Sequence, residues 1–285
     1  MTDSKNTKTP RDTHYAKLRR QFRDKKAGVD PNDPKTFRPR PHQDAGRVPE
    51  GRIYLYGLHT VRAALDNEQR NIHTMYATDN ALIRLDVESP SDLPFPVEIV
   101  TPKVLDAKVG SDAVHQGVVL EADPLAPKHL NDLERSDLIL VLDQVTDPHN
   151  VGAIMRSAVA LNAGALITTS RHSPQESGTL AKSASGALEM IPHIEVRNLA
   201  NALGELNKMG FQTVGLDSEG PNILEESLQS KKLAIVLGAE GKGLRQKTRE
   251  TVSTLARLDM PGAIKSLNVS NAAALALYVA RSKLK

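Results

Sequence analysis

At 285 residues with 39% hydrophobic side chains, the chain is long enough for one large domain or two ordinary ones, each with a buried core. It has no cysteine, which excludes disulfides, thiolate zinc sites and a cysteine nucleophile, and no apolar run approaches the roughly 18 residues of a membrane span. The net charge of +3 is uneven: the first 50 residues hold 13 Lys and Arg against 7 Asp and Glu, leaving −3 for the rest, so a basic arm precedes a near-neutral body.

That arm, residues 1–50, combines Pro10, Pro31, Pro34, Pro39, Pro41 and Pro49 with many charges and few large apolar side chains. Such a composition buries too little surface to offset its ordering entropy. It reads either as an attachment to a polyanion such as RNA or DNA or as a solvated tail, with a short basic helix possible over Tyr15–Lys26. From Arg52 the texture changes. IYLYG is a strand and turn, His59–Leu65 a helix, and Ile72–Ala77, Val97–Val100 and Gly117–Glu121 are short apolar stretches of a small α/β domain. The prolines of Asp123–Lys128 mark a linker. Beyond it, strands are predicted at Leu138–Leu142, Ala165–Thr168, Phe211–Leu216, Leu233–Leu237 and Thr254–Leu258, with helices at Val151–Asn162 and Val269–Ser282. Strands apolar on both faces and separated by helices belong to a covered parallel sheet. A soluble cytoplasmic protein without membrane or metal is expected.

Three clusters fall where an open α/β sheet places its ligands, at strand ends and helix starts. In DQVTDPHNVGAIMRSA, Pro148 stiffens the loop, Asn150 is a natural helix cap, Gly152 admits a close neighbour, and Arg156 can grip a phosphate or carboxylate with its planar fork. The bland reading of this cluster is a cap and an exposed helix arginine. LGAEGKGL follows an apolar strand and has glycines for a tight turn at 238, 241 and 243. It lacks the GK[ST] ending of a nucleotide triphosphatase and is not GxGxxG, so a dehydrogenase also loses support. In LDMPGAIKSLNVSNAAA, Ser266, Asn268 and Ser270 alternate with apolar residues, and either Asn268 or Ser270 caps the last helix.

Together, DPHNVGAIMRSA, VLGAEGKGL and SLNVSNAAA resemble, in order and spacing, the three motifs of the SpoU/TrmH family of RNA 2′-O-ribose methyltransferases, part of the SPOUT class. YGLHTVRAAL and HQGVV resemble the small substrate-binding domain of members that act on ribosomal RNA. The resemblance implies an arm over 1–50, a small α/β RNA-binding domain over 51–122, a linker over 123–135, and a parallel-sheet domain over 136–285 holding a deep trefoil knot, an exception to the usual absence of knots. It implies S-adenosyl-L-methionine held by Gly238, Leu258, Met260 and Leu267, and chemistry by Asn150, Arg156, Glu240, Ser266 and Asn268. Members act as homodimers, with the last helix part of the interface. Family proposals make the arginine a general base. A guanidinium with a pKa above about 12 rarely gives up its proton, so Arg156 is read here as a phosphate ligand and alkoxide stabiliser. The substrate implied is a guanosine of 23S ribosomal RNA or a ribosomal precursor; transfer RNA, or RNA binding without activity in ribosome assembly, are the alternatives. Many members have proline where Asp259 stands, and here it has moved to Pro261, which leaves open whether Asp259 contacts the cofactor.

Overall fold

The computed structural model describes residues 48–133 and 136–284. The basic arm up to residue 47, including the expected helix Tyr15–Lys26, lies outside the described residues. Two sheets organise the rest. The first is four-stranded, from β1 (Ile53–Tyr56), β2 (Ile72–Ala77), β3 (Val97–Ile99) and β4 (Val118–Ala122), in the order β1-β4-β2-β3. β4 is antiparallel to both its neighbours, and β3 is parallel to β2. Alternation puts Leu55, Met75 and Leu120 into the core with helices α1 (Leu58–Asp66) and α2 (Asp79–Arg84), while Tyr54, Tyr76 and Val119 face Leu105 of α3 (Pro102–Val109).

The second sheet has seven parallel strands: β5 (Leu138–Asp143), β6 (Ala165–Thr169), β7 (His193–Val196), β8 (Gln212–Leu216), β9 (Asn222–Ile223), β10 (Leu233–Gly238) and β11 (Thr254–Arg257). Their order is β7-β6-β5-β10-β8-β11-β9. Every residue of β5 and β6 is buried, which is what apolar runs without alternation require. Helices α4 (Pro148–Ala160), α5 (Gly178–Ala184), α6 (Ala187–Met190), α7 (Leu199–Lys208), α8 (Leu224–Ser227), α9 (Gln246–Thr251) and α10 (Val269–Leu284) complete the fold. α10 packs on α4 through fully buried Ala273, Ala276 and Ala280, side chains small enough to bring the axes close. Arg281 fastens its end, donating to both carboxylate oxygens of Asp137 at 2.8 and 3.0 Å and to the carbonyls of Leu161 and Asn162. The Arg281 hydrogen bonds hold the Asp137 carboxyl below the usual carboxylate range.

The small sheet is joined to the large one by α1, which packs on α5 and α6. At the centre of the seam is Arg70, its side chain wholly buried. It donates to Glu189 at 2.6 and 3.2 Å, to Glu176 at 2.6 Å and to the Asp123 carbonyl at 2.7 Å. Two carboxylates and a carbonyl thus satisfy the guanidinium, the condition under which a buried charge is tolerated. Glycine permits the contact elsewhere: a Cβ at Gly178 would collide with β1, at Tyr54 and Tyr56.

Three differences from the sequence reading have plain causes. α4 begins at Pro148 rather than Val151, because Asp147 and not Asn150 is the cap: its Oδ1 accepts from His149 N at 3.0 Å. Proline at the first helical position loses no hydrogen bond, so it starts the helix. β7 and β9, unanticipated, are edge strands, short and only partly buried, so neither makes a long apolar run.

Candidate active site

The chain leaves β5 for β6 on one side, while β10 and β8 lie on the other. Loops leaving adjacent strands diverge at such a switch point and open a crevice at the carboxyl ends of the strands. Two cavities lie there. The larger, 580 Å³, is walled by the ends of β8 and β10, the loop Ala239–Gly243 and the segment from Leu258 to Ala272. The smaller, 460 Å³, lies between the loop after β5 (Gln144–Asp147), Asn150, His172 and the Ala239–Lys242 side of the same loop. Ala239, Glu240 and Val269 line both, so the cavities share a wall.

The shared loop is built by its glycines. Gly241 and Gly243 have φ of 77° and 64°, and Gly243 N donates to the Ala239 carbonyl at 2.8 Å, closing a tight turn. A Cβ at Gly238 would collide with the Gly243 and Leu244 backbone, so only glycine lets the turn fold back on its strand. The turn is anchored from below by Asp143, the fully buried last residue of β5. Asp143 accepts from Arg245 N at 3.0 Å, Arg245 Nε at 2.6 Å and Thr248 Oγ1 at 2.7 Å. One carboxylate therefore ties the first motif to the residues just after the second.

Besides the packing of α10 on α4, one side-chain hydrogen bond among the described residues joins the third motif to the first. Asn268 Oδ1 accepts from Ser270 N at 2.9 Å and Ser270 Oγ at 2.6 Å, capping α10, which resolves the choice between the two. Its Nδ2 donates to Asn150 Oδ1 at 3.1 Å. With that oxygen engaged, the amide nitrogen of Asn150 has no partner among the described residues and remains a donor at the smaller cavity.

Of the residues singled out from sequence, Gly238, Leu258, Met260 and Leu267 all line the larger cavity, as do Ser266, Asn268 and Glu240. Asn150 and Glu240 line the smaller one. Arg156 stands apart: it is exposed, two turns along α4, and lines neither cavity of the single chain. Gly152 is explained by packing, since a Cβ there would press on Ser183 and Ala184 of α5. Asp259 is exposed and outside the cavity wall, in a loop that Lys265 closes by donating to the Met260 carbonyl at 2.6 Å. Sequence reasoning missed the Asp143 anchor, the end of β8 (Leu216, Asp217 and Ser218) and His172. The β8 residues had a signal: in a parallel sheet, the end of a predicted central strand faces the ligand side. Asp143 had none, because Arg245 and Thr248 lie more than 100 residues away.

The larger cavity fits S-adenosylmethionine in kind. Its volume is within the roughly 300–1,000 Å³ of small-molecule sites, and it combines apolar Leu216, Leu237, Leu258, Met260 and Leu267 with a turn whose backbone faces inward. Among the described residues no group of three or more His, Asp or Glu is placed to hold a metal ion, and no helix is long and apolar enough to cross a membrane.

Comparison with known proteins agrees with this geometry. Residues 137–278 match the SpoU rRNA Methylase family, and residues 54–128 match the RNA 2′-O ribose methyltransferase substrate binding family. The 23S rRNA (guanosine-2′-O-)-methyltransferase RlmB of Vibrio vulnificus is 36% identical over 237 residues, covering 80% of this chain and 95% of that protein. RlmB of Ralstonia nicotianae is 38% identical over 238 residues, covering 79% and 94%. Among solved structures, the SpoU methyltransferase AviRb from Streptomyces viridochromogenes in complex with AdoMet shares the fold. Its TM-score is 0.70 at 21% identity, over 82% of this chain and 90% of that one. The AdoMet-bound rRNA methyltransferase of Sinorhizobium meliloti gives 0.68 at 22%, over 82% and 88%. Two family matches that together take in both sheets, and relatives aligned over nearly their whole length, lead to one conclusion: the chain belongs to the SpoU rRNA methylase family.

Proposed function

We infer that this protein transfers a methyl group from S-adenosylmethionine to the 2′-hydroxyl of a guanosine in 23S ribosomal RNA. The observation that carries the reading is the pair of cavities with a common wall, one suited to the methyl donor and the other, more polar in its residues, to a nucleotide. The relatives named for that reaction support the choice of RNA.

S-adenosylmethionine, when bound, supplies a methyl group already activated by a positively charged sulfur. The turn at Gly238, with Leu258, Met260 and Leu267, would hold it. The protein's harder task lies at the acceptor, because a ribose hydroxyl is a weak nucleophile until its proton is removed or polarised. Asn150 is oriented by Asn268, which leaves its amide nitrogen to donate to an oxygen of a nucleotide bound in the smaller cavity. Glu240, on the shared wall, orients the network, and Ser266 adds a hydroxyl from the donor side. Fixing acceptor and donor in line supplies much of the rate.

Arg156 completes this site from a second copy of the chain. Leu275 and Tyr278, 49% and 64% exposed and three apart on α10, form an apolar face on the helix packed beside α4. Pairing such faces in a homodimer brings the partner's α4 arginine to the acceptor cavity, where it binds phosphate and steadies the developing alkoxide. Arg156→Ala is expected to abolish labelled methyl transfer while calorimetric titration still shows S-adenosylmethionine binding. Mixing Arg156→Ala with inactive Asn150→Ala restores transfer, since a mixed dimer has one intact site. Lost cofactor affinity with residual transfer in Arg156→Ala contradicts the assignment.

A further inference from the structure

Two stretches marked by the sequence, YGLHTVRAAL and HQGVV, have no part in the site described above, and both converge on Lys182. Gln116 and Gly117 have φ of 57° and 88°, a left-handed pair that turns the Gln116 side chain toward α5. Its Oε1 accepts from Leu58 N at 3.1 Å and from Lys182 Nζ at 2.6 Å. Gly57, at φ 89°, completes the seat: a Cβ there would fall on the Lys182 ammonium. His115 braces the turn, with Nδ1 accepting from Gly117 N at 3.0 Å and Nε2 lying 3.1 Å from Asp106.

What this seat lacks is a negative charge. No carboxylate pairs with Lys182 among the described residues, and the first turn of α1 beside it has no acidic residue. Arg70, across the same seam, has two glutamates. Burial pulls the Lys182 pKa below the usual lysine range with no opposing charge to raise it. The half-buried ammonium has given up part of its water and gained an amide oxygen in exchange. The helix that carries Lys182 also reaches the wall of the acceptor cavity, through the next residue, Ser183. Ser183 Oγ lies 3.0 Å from His149 Nδ1, and His149 is flanked by Asp147 and Asn150 of the cavity wall.

We propose that Lys182, seated on Gln116 and Gly57, binds a backbone phosphate of the substrate RNA where the strand passes from the small sheet to the acceptor cavity. This rests on the RNA methyltransferase reading and adds a contact that positions the strand without reading a base. The test uses the full-length protein and unmodified, transcribed 23S ribosomal RNA, with binding measured across a salt series. Lys182→Met is expected to weaken binding at low salt and to flatten the slope of log K against log salt by about 0.7, the share of one single-strand phosphate. Lys182→Arg keeps both near wild type, and neither variant changes S-adenosylmethionine affinity. A wild-type slope in Lys182→Met overturns the proposal. So does weakened binding accompanied by faster hydrogen exchange in α1 and β4, which makes Lys182 a latch between the sheets. Methyl transfer by the wild type, assayed on the same RNA, keeps the two readings apart: a Lys182-dependent slope without transfer contradicts the enzymatic function and leaves the phosphate site standing.

Discussion

Removing the Asp143 carboxylate is expected to cost stability and cofactor binding together, by an amount the structure allows one to bound. Three hydrogen bonds to a charged acceptor at roughly 1.5–3 kcal/mol each give an upper limit that is not reached, since Asp143→Ala also removes the desolvation of a buried charge. Arg245 is 43% exposed and can turn to water, whereas Thr248 Oγ1 is buried and cannot. The net loss is then about 2–4 kcal/mol, mostly from the donors of Thr248 and the Arg245 backbone left without a partner, a large part of the roughly 5–15 kcal/mol that holds a folded domain together. Asp143→Asn should be milder, about 1–3 kcal/mol. Its remaining oxygen can keep Arg245 N and Thr248 Oγ1, while the new amide group repels only Arg245 Nε. Urea unfolding measures the stability, and calorimetric titration with S-adenosylmethionine reads the consequence for the 239–244 turn. An Asp143→Ala protein within about 1 kcal/mol of wild type, with unchanged cofactor affinity, would refute the claim that this carboxylate anchors the site.

Arg70→Met should be destabilising by about 3–5 kcal/mol, because Glu176 and Glu189 are left facing each other at a buried seam, and limited proteolysis should then cut within Asp123–Lys128. Resistance equal to wild type would show that the seam does not depend on this cluster. Burial lowers the His193 pKa to about 4, below its ordinary value near 6.5, so the unfolded chain takes up a proton in this range that the folded one does not. The contribution is complete above about pH 6.5 and is lost as the pH falls toward 4; replacing His193 by Gln should flatten the stability profile across that window. An unchanged profile argues against a buried, neutral histidine.

The fully buried strands of the large sheet and the short apolar stretches of the small one were legible because their patterns come from burial itself: β2 has the predicted bounds, and β5 extends its prediction by one residue. The three motifs led to the cavity walls because short segments carry their own turn chemistry, as in Gly241 and Gly243 or the Asn268 cap. What stayed hidden depends on contacts between distant residues. Asp143 looks like any loop aspartate until Arg245 and Thr248 meet it, and Arg70 looks like a surface charge until Glu176 and Glu189 enclose it. The helix cap was misplaced by three positions because Asn150 and Asp147 are equally good caps in sequence, and Pro148 between them settled the matter.

The central claim is tested most directly by incubating the purified protein with labelled S-adenosylmethionine and unmodified 23S ribosomal RNA, then digesting the RNA to nucleosides and locating the label. The account predicts label in 2′-O-methylguanosine at a single position. Label on a base, or on no nucleoside at all, would contradict it.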